Sequence, residues 1–236
     1  MVREADLMKS YSSHSELPTD LQNIYASRFN ALEDYRTRVW RVLTAEFFAR
    51  WVKPGDSVLD LGCGYGEFIN NIKAREKFAM DLNPSARDRV GPDVRLLQQD
   101  CSAPWPLPDD SLDVVFTSNF FEHLPTKSAL QSTLAEARRC LRPEGCLIAL
   151  GPNAKFLGGR YWDYFDHHLP LTDLSLREAL TMTGYRVEWV IPKFLPYTMS
   201  QNSQPPIWTL RLYLKLPLAW KLFGRQFLVL GRKPAL

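Results

Sequence analysis

Three glycines stand within five positions directly after a short apolar run, in the segment VLDLGCGYGEFI at residues 58–69. Glycine loses the most conformational freedom on folding, so this cluster indicates a loop whose backbone must approach a ligand closely. A phosphate-binding GxxxxGK[ST] loop is excluded, because no Lys-Ser or Lys-Thr pair follows the glycines. The strict dinucleotide pattern GxGxxG is excluded, because Glu67 takes the place of its third glycine. The pattern that remains consists of Asp60, Gly62, Gly64 and Gly66.

Two further acids follow the next two apolar runs, Asp81 in FAMDL and Asp100 in VRLLQQD. Open α/β sheets bind ligands at the carboxyl ends of their strands, so these acids in register with the glycine loop predict a nucleoside site. An acid at the position of Asp81 accepts hydrogen bonds from ribose hydroxyls. Taken singly, each acid is also a common helix cap or turn former.

Three histidines are candidate general bases for an acceptor hydroxyl, because imidazole exchanges its proton near neutral pH. His123 lies in FFEHLP after the fourth predicted strand, where a polar residue at a helix start is the alternative interpretation. His167 and His168 lie in RYWDYFDHHLPLT, beyond the fifth predicted strand. This aromatic and acidic segment suits a polyhydroxylated acceptor, but it equally suits a loop held by its own side chains. The candidate acceptor contacts are Tyr161, Asp163 and Tyr164.

The same segment also offers donors for a divalent metal ion, namely Asp163 and Asp166 beside the two adjacent histidines. No metal-ligand motif accompanies these residues. We therefore expect no metal, and loss of activity in EDTA would overturn that expectation.

The residues that could do chemistry lie on an alternation of strands and helices. Strands are predicted at SVLDL, FAMDL, VRLLQQD, LDVVFTSN and CLIALGPN, and helices at EFINNIKAREK and TKSALQSTLAEARRCLRPEG. A later helix, SLREALTMTGY, is predicted to start with a capping box of Ser175 and Glu178 and to stop at Gly184. The segments YRVEWVI and RQFLVLGRK are two late strands. This rhythm predicts an α/β fold whose parallel sheet is covered on both faces.

Residues 20–50 have apolar side chains near helical spacing and predict a cap over the site. The polar members of this cap that could reach a cofactor are Tyr25, Tyr35, Arg36 and Arg38, for which core packing or solvated surface is the default role.

The composition excludes several classes of protein. The 236 residues carry a net charge of +3 and contain no Lys/Arg-rich block, so nucleic acid is not the expected partner. The first residues are charged and lack the apolar region of a secretory signal. The four cysteines show no CxxC spacing and predict reduced thiols in a cytoplasmic protein.

A Pro-rich, apolar and basic insertion occupies residues 192–225. Its segment 205–224 is too short and too charged to span a bilayer, but its composition is typical of a helix lying in a membrane interface. The alternative is a pocket lid or a dimer contact that buries the same apolar surface.

The glycine loop and its acids resemble those of the class I S-adenosylmethionine (SAM)-dependent methyltransferases, of the methyltransferase 11/12-like type. The resemblance covers residues 50–153 best and implies a Rossmann-like, mostly parallel seven-stranded sheet. It implies that Asp60 serves the methionine ammonium and that Asp81, with Leu82 beside it, serves the ribose. It also implies that Asp100 and the backbone of Cys101 read the adenine. The remaining implied cofactor contacts are the loop residues Gly62, Cys63, Gly64 and Gly66, and the methionine-side residues Asn119 and Phe120.

The sequence therefore predicts one methyltransferase domain over residues 1–236. Its parts are a helical cap at 1–50, a SAM-binding core at 51–153, a substrate loop, helix and strand at 154–191, the insertion at 192–225, and the last strand and tail at 226–236. The expected reaction moves a methyl group from SAM to a small-molecule hydroxyl, on a sugar-like or lipid-linked metabolite. The alternatives are methylation of nitrogen or carbon, SAM binding without catalysis, and RNA methylation. The segment SNFFEH after the fourth strand lacks the NPPY motif typical of RNA enzymes of this family.

Overall fold

The computed structural model describes residues 33–197 and 204–235. Seven strands form one sheet in the order β3-β2-β1-β4-β5-β7-β6, with the last strand antiparallel to both of its neighbours. The strands are β1 Ser57–Leu61, β2 Glu76–Met80, β3 Val94–Leu97, β4 Leu112–Ser118, β5 Leu141–Pro152, β6 Arg186–Ile191 and β7 Gln226–Arg232. The predicted Rossmann-like, mostly parallel seven-stranded sheet is confirmed.

Helices and short turns connect the strands. The α-helices are α1 Glu33–Val42, α2 Glu67–Asn71, α3 Lys127–Cys140, α4 Ala154–Leu157, α5 Asp173–Met182, α6 Ile207–Leu214 and α7 Pro217–Phe223. A π-turn at Leu43–Phe47 and a 3₁₀ turn at Phe48–Arg50 continue α1. Further 3₁₀ turns cover Pro84–Asp88, Phe121–His123 and Gly158–Asp163.

The strand order places a topological switch between β1 and β4, because the chain moves outward from β1 to β3 and then returns. In the parallel register, Leu61 at the end of β1 lies opposite Met80 of β2 and Thr117 of β4. The residues that follow these three strands therefore meet at one edge of the sheet. Ligands of open α/β sheets bind at this place.

Apolar side chains pack on both faces of the sheet, and β1 shows how the faces divide. Leu59 and Leu61 point into a cluster that includes α3 and α5, whereas Val58 points into a cluster that includes α1 and α2. Side chains alternate along a strand, so Asp60 faces the same side as Val58. This alternation explains why an acid lies buried beside the glycine loop.

Some predicted boundaries were wrong. The helix after the glycine loop ends at Asn71, because Glu76 already begins β2. The capping box of α5 joins Thr172 and Ser175, one turn earlier than predicted, because the Thr172 side chain accepts from the Ser175 amide. The predicted stop at Gly184 agrees with its φ of 85° and its amide bond to Thr181. Residues 1–32 of the predicted helical cap, including Tyr25, lie outside the described residues.

Candidate active site

The glycine loop turns sharply between β1 and α2. Its three glycines all adopt the left-handed region, with φ of 69°, 51° and 70° at Gly62, Gly64 and Gly66. At Gly62 the absence of a side chain is also a matter of space, because a Cβ there would lie 2.1 Å from the ring of Phe120. At Gly64 no atom lies within 4 Å of such a Cβ, so only the backbone conformation favours glycine. The loop therefore presents bare backbone at Gly64, where the surrounding space is open.

Asp60 lies below this loop and is 3% exposed. Burial raises the pKa of its carboxyl to about 8, the backbone N–H of Ile69 opposes this shift, and the Asp81 carboxylate adds to it. A buried carboxylate is stable when a cation or strong donor compensates it. The methionine ammonium of SAM, assigned to Asp60 by the resemblance, is a cation of this kind.

Asp81 joins the end of β2 to the glycine loop. Its carboxylate accepts hydrogen bonds from the amides of Gly64 and Asn83, both at 2.8 Å. Burial raises its pKa, while the nearby His123 lowers it. Leu82 beside it is 55% exposed, which leaves an apolar surface at the mouth of the site. The structure thus brings the predicted ribose acid into direct contact with the glycine loop.

Asp100 and Cys101 follow β3. The exposed Asp100 carboxylate accepts from the amide and hydroxyl of Ser102, both at 2.8 Å, which is the turn-forming role that an isolated acid often has. The Cys101 thiol is buried 3.3 Å from the Thr133 hydroxyl, and burial raises its pKa to about 11. The thiol is therefore a packing group at neutral pH. Cys63 is also buried, and all four cysteines are free thiols.

Asn119 and Phe120 leave β4 in a constrained conformation. Asn119 has a φ of 49°, which is uncommon for a residue other than glycine. Its amide donates to the Leu150 carbonyl at 2.9 Å, and its side-chain N–H donates to the Ser118 hydroxyl at 3.1 Å. Its side-chain oxygen is buried without a hydrogen-bond partner. An unsatisfied buried acceptor at the end of β4 fits a cationic ammonium donor, so Asn119 fits the methionine end of SAM.

Of the polar residues of α1, Arg36 secures the glycine loop. Arg36 is buried, forms an ion pair with Glu67 and lies 4.8 Å from the ring centre of Tyr65. The residue that excluded a dinucleotide pattern, Glu67, thus receives a structural role at the start of α2. Arg38 is exposed and lies over the ring of Tyr35.

A histidine cluster lies beyond Phe120, where the 3₁₀ turn Phe121–His123 meets the segment after α4. The Nδ1 atom of His123 lies 2.9 Å from the Asp166 carbonyl and 3.3 Å from its carboxylate. The Nδ1 atom of His167 lies 2.8 Å from the Tyr161 carbonyl, and the two imidazole rings are 5.1 Å apart. Because carbonyl oxygens only accept, both Nδ1 atoms donate. In the neutral imidazoles the Nε2 atoms are then the proton acceptors.

The two clustered histidines lie in different environments. Burial, with a smaller contribution from the neighbouring His123, lowers the pKa of His167 to about 4. His167 is therefore neutral at pH 7 and a weak base. The carbonyl and the carboxylate of Asp166 orient His123 through its Nδ1 atom, as the acid of a catalytic triad orients its histidine. This geometry favours His123 over His167 as the base.

Glu122 was missed in the sequence, although it directly precedes His123. It is 3% exposed, and burial raises the pKa of its carboxyl to about 7. Glu122, His123 and His167 each offer one ligand atom, and these atoms lie within 4.8 Å of one another. This set differs from the aspartates and histidines considered from the sequence, since neither Asp163 nor Asp166 belongs to it.

The other acceptor-side candidates occupy different environments. His168 and Asp163 are exposed, and the His168 amide donates to the Glu122 carbonyl at 2.7 Å. Tyr164 is half-buried and stacks on His167, with ring centres 5.0 Å apart. Tyr161 is buried and its hydroxyl donates to the Leu169 carbonyl, which favours a role in holding the loop.

Residues 59–149 match the family described as "Methyltransferase domain". A demethylmenaquinone methyltransferase of Symbiobacterium thermophilum is 28% identical over 181 residues, which cover 70% of this chain and 67% of that protein. A malonyl-[acyl-carrier protein] O-methyltransferase of Serratia marcescens is 36% identical over 101 residues, which cover 40% of this chain and 38% of that protein. The chain thus spans between about a third and two thirds of its curated relatives.

Solved structures agree on the fold. A SAM-dependent methyltransferase of Archaeoglobus fulgidus aligns with a TM-score of 0.63 at 20% identity, covering 86% of this chain and 97% of that one. A Haloferax volcanii protein in complex with the Trm112 methyltransferase activator aligns with a TM-score of 0.64 at 23% identity, covering 89% and 95%. The family match, the strand order and the site at the switch point agree. Residues 59–149 therefore match a methyltransferase domain, and the strand order is that of a Rossmann-like methyltransferase fold.

Proposed function

We propose that this protein transfers the methyl group of SAM to a hydroxyl of a small acceptor, on a sugar-like or lipid-linked metabolite. The observation that carries the proposal is the oriented pair of His123 and Asp166 beside the cofactor edge. When bound, SAM supplies an electrophilic methyl group. Our proposal includes a cytoplasmic location, which the free thiols support, and no nucleic-acid partner.

The proposed cofactor contacts are those already described. Asp60 and Asn119 hold the methionine end, Asp81 with Leu82 holds the ribose, and Asp100 with the Cys101 backbone holds the adenine. The amides of the glycine loop remain close to the ligand because Gly62, Gly64 and Gly66 carry no side chain. These contacts fix the position from which the methyl group is presented, and positioning contributes much of the rate in a group transfer.

The acceptor hydroxyl must lose its proton as the oxygen attacks. His123 takes this proton on Nε2, because its Nδ1–H is committed to Asp166. Asp166 stabilises the resulting imidazolium. Tyr164, stacked on His167, and the exposed Asp163 and His168 offer ring and polar contacts for a hydroxylated acceptor.

Among relatives, the printed name of the Serratia marcescens protein is an O-methyltransferase, which favours oxygen, whereas the Symbiobacterium thermophilum protein acts on demethylmenaquinone. Methylation of nitrogen or carbon is the second candidate, since the lone pair of a neutral amine attacks the methyl group before any proton is lost. SAM binding without catalysis is the third.

Transfer of labelled methyl groups from SAM tests the proposal. The full chain is incubated with panels of saccharides, lipid-linked saccharides and amines, and the methylated atom is located by mass spectrometry and NMR. We expect an O-methyl product, and we expect His123→Asn to lower kcat by about 10²–10⁴-fold while leaving the affinity for S-adenosylhomocysteine (SAH) within about twofold, because no cofactor contact is removed. His167→Asn and His168→Asn are the comparison variants. If kcat falls more in either comparison variant than in His123→Asn, the general base is that histidine instead. An N-methyl or C-methyl product would refute the proposal.

A further inference from the structure

The helical pair α6–α7 has two unlike faces, and its inner face is fixed to the protein. Leu214 is buried against the core. The Tyr213 hydroxyl donates to the Phe194 carbonyl at 2.5 Å, and the Trp220 indole N–H donates to the Tyr213 carbonyl at 2.7 Å. Arg211 pairs with Glu46 at 2.6 Å. Packing, hydrogen bonds and an ion pair on the inner face therefore fix the orientation of α6–α7 on the protein.

The outer face of the pair carries large apolar side chains in solvent. They are between 46% and 73% exposed and comprise Trp208, Leu212, Leu216, Leu218, Leu222 and Phe223. We call these six residues, with the exposed cations Lys215 and Lys221 among them, the apolar–basic surface. Leu212 lies four residues after Trp208, and Leu222 four after Leu218, so each pair shares one helix face. A concentration of exposed apolar groups like this one marks an interaction surface.

The contacts of the inner face decide between the interpretations of the insertion. They lead to Glu46, to Phe47 and to Phe194, on the α1 side of the sheet. The histidine cluster lies instead beside Leu169, which belongs to the core cluster on the opposite side. The exposed apolar side chains of α6 and α7 take no part in these inner-face contacts.

Charge decides between a second copy of the chain and a lipid surface. No Asp or Glu occurs after Glu188, whereas residues 189–236 contain seven Lys and Arg residues. A two-fold contact through the apolar–basic surface would bring Lys215 and Lys221 against a surface that carries the same two cations and, like the rest of residues 189–236, has no acid. Anionic headgroups instead complement these cations, and the adjacent acyl boundary accepts the leucines and aromatic rings.

We propose that the apolar–basic surface docks the protein on an anionic membrane leaflet, with α6–α7 lying in the interface. Within the described residues, no helix is long and apolar enough to cross a membrane. Docking of this kind needs neither SAM nor an acceptor, so it stands or falls independently of the proposed reaction.

Vesicle flotation of the full chain tests this proposal, with phosphatidylcholine vesicles and with vesicles that also contain phosphatidylglycerol. We expect the protein to float with the anionic vesicles and to be released by high salt. Leu218→Ser combined with Leu222→Ser should lower binding by about tenfold or more. Lys215→Gln combined with Lys221→Gln should weaken binding to the anionic vesicles selectively, by about 30-fold, because each cation near the surface contributes about 1 kcal/mol and about 1.4 kcal/mol is tenfold.

Met182→Ser is the matched control, because Met182 on α5 is 68% exposed, as is Leu222. This variant should bind vesicles like the parent protein. SAH affinity and circular dichroism confirm that each variant is folded. Failure of the parent protein to float with anionic vesicles would overturn the proposal, as would loss of binding in the Met182 control equal to that in the leucine pair. If light scattering shows a dimer that the leucine variant dissociates, and vesicles do not bind, the surface is a contact between copies.

Discussion

Cofactor binding should be linked to the ionisation of Asp60. The carboxyl has a pKa of about 8 in the free protein because it is buried, so about nine in ten of these side chains carry a proton at pH 7. An ammonium group nearby favours the carboxylate. Binding of SAH should therefore expel this proton, and the protein must give up about 1.4 kcal/mol of binding free energy for each pH unit below 8.

Isothermal titration with SAH measures this linkage directly. Between about pH 6 and about pH 7.5 the ligand ammonium stays charged, and the affinity should rise nearly tenfold per pH unit. At pH 7, titrations in buffers of different ionisation enthalpy should report the release of about 0.9 proton per SAH bound. Both measurements use a ligand that cannot react, so they are independent of the acceptor.

The variant Asp60→Asn separates this carboxyl from the others. It should bind SAH about 10- to 100-fold more weakly at pH 7.5, since a hydrogen bond to a charged group contributes about 1.5–3 kcal/mol, and its affinity should lose most of the pH slope. Asp81→Asn is the control, because it removes a carboxyl whose pKa is also raised while Asp60 remains. A flat affinity in the parent protein would refute the assignment, and so would a slope that survives in Asp60→Asn but vanishes in Asp81→Asn.

The same shift has a consequence for stability without ligand. The folded protein holds the Asp60 proton more tightly than the unfolded chain, whose carboxyl has its ordinary pKa of 3.8. The contribution of this group to stability is therefore complete below about pH 4 and is lost as the pH rises towards 8. Asp60→Asn should match or exceed the parent in thermal stability at pH 8 while binding SAH more weakly. An unchanged or higher stability together with weaker SAH binding distinguishes an acid that binds the ligand from an acid that stabilises the fold.

Three further predictions follow from local geometry. Gly62→Ala should destabilise the protein by about 1–3 kcal/mol more than Gly64→Ala in urea unfolding, because only the first Cβ would strike the Phe120 ring; equal losses would contradict this. Arg36→Ala should cost about 3–5 kcal/mol, because it leaves Glu67 without its buried partner, whereas the exposed Arg38→Ala should change the free energy of unfolding by less than about 0.5 kcal/mol. Methyl transfer should persist in EDTA. If EDTA abolishes it and a divalent ion restores it, a metal ion bound at the cluster of Glu122, His123 and His167 would be required instead.

The fold, and the contact of the glycine loop with Asp81 at the carboxyl ends of the strands, could be predicted because they rest on local pattern. Continuous apolar strands, glycines at positions that need a positive φ and acids at strand ends are all visible along the chain. The wrong boundaries have tertiary causes. The helix after the glycine loop stops early because Glu76 pairs with Ser57 in the sheet, and this pairing outweighs the helical propensity of EFINNIKAREK.

The acceptor side could be predicted only in part, because its geometry depends on contacts between distant segments. His123 was identified from its place after β4, but its partner Asp166 lies 43 residues later. Glu122 gives no signal in the sequence beyond its adjacency to His123, since its raised pKa arises from burial by the folded loop. The lowered pKa of His167 likewise arises from burial, which a sequence does not display.

The exit of β4 connects the two halves of the site. Asn119 turns the chain with a positive φ, and Phe120 then packs its ring against Gly62 of the cofactor loop. Two residues later, the Glu122 carbonyl accepts hydrogen bonds from the amides of His168 and Leu169 and so fixes the acceptor-side loop. Because one short turn contacts the glycine loop on one side and the histidine cluster on the other, the distance from the proposed methionine site to His123 is set by local backbone geometry. In the proposed reaction, this turn would hold His123 in position relative to the methyl group, as a transfer that depends on alignment requires.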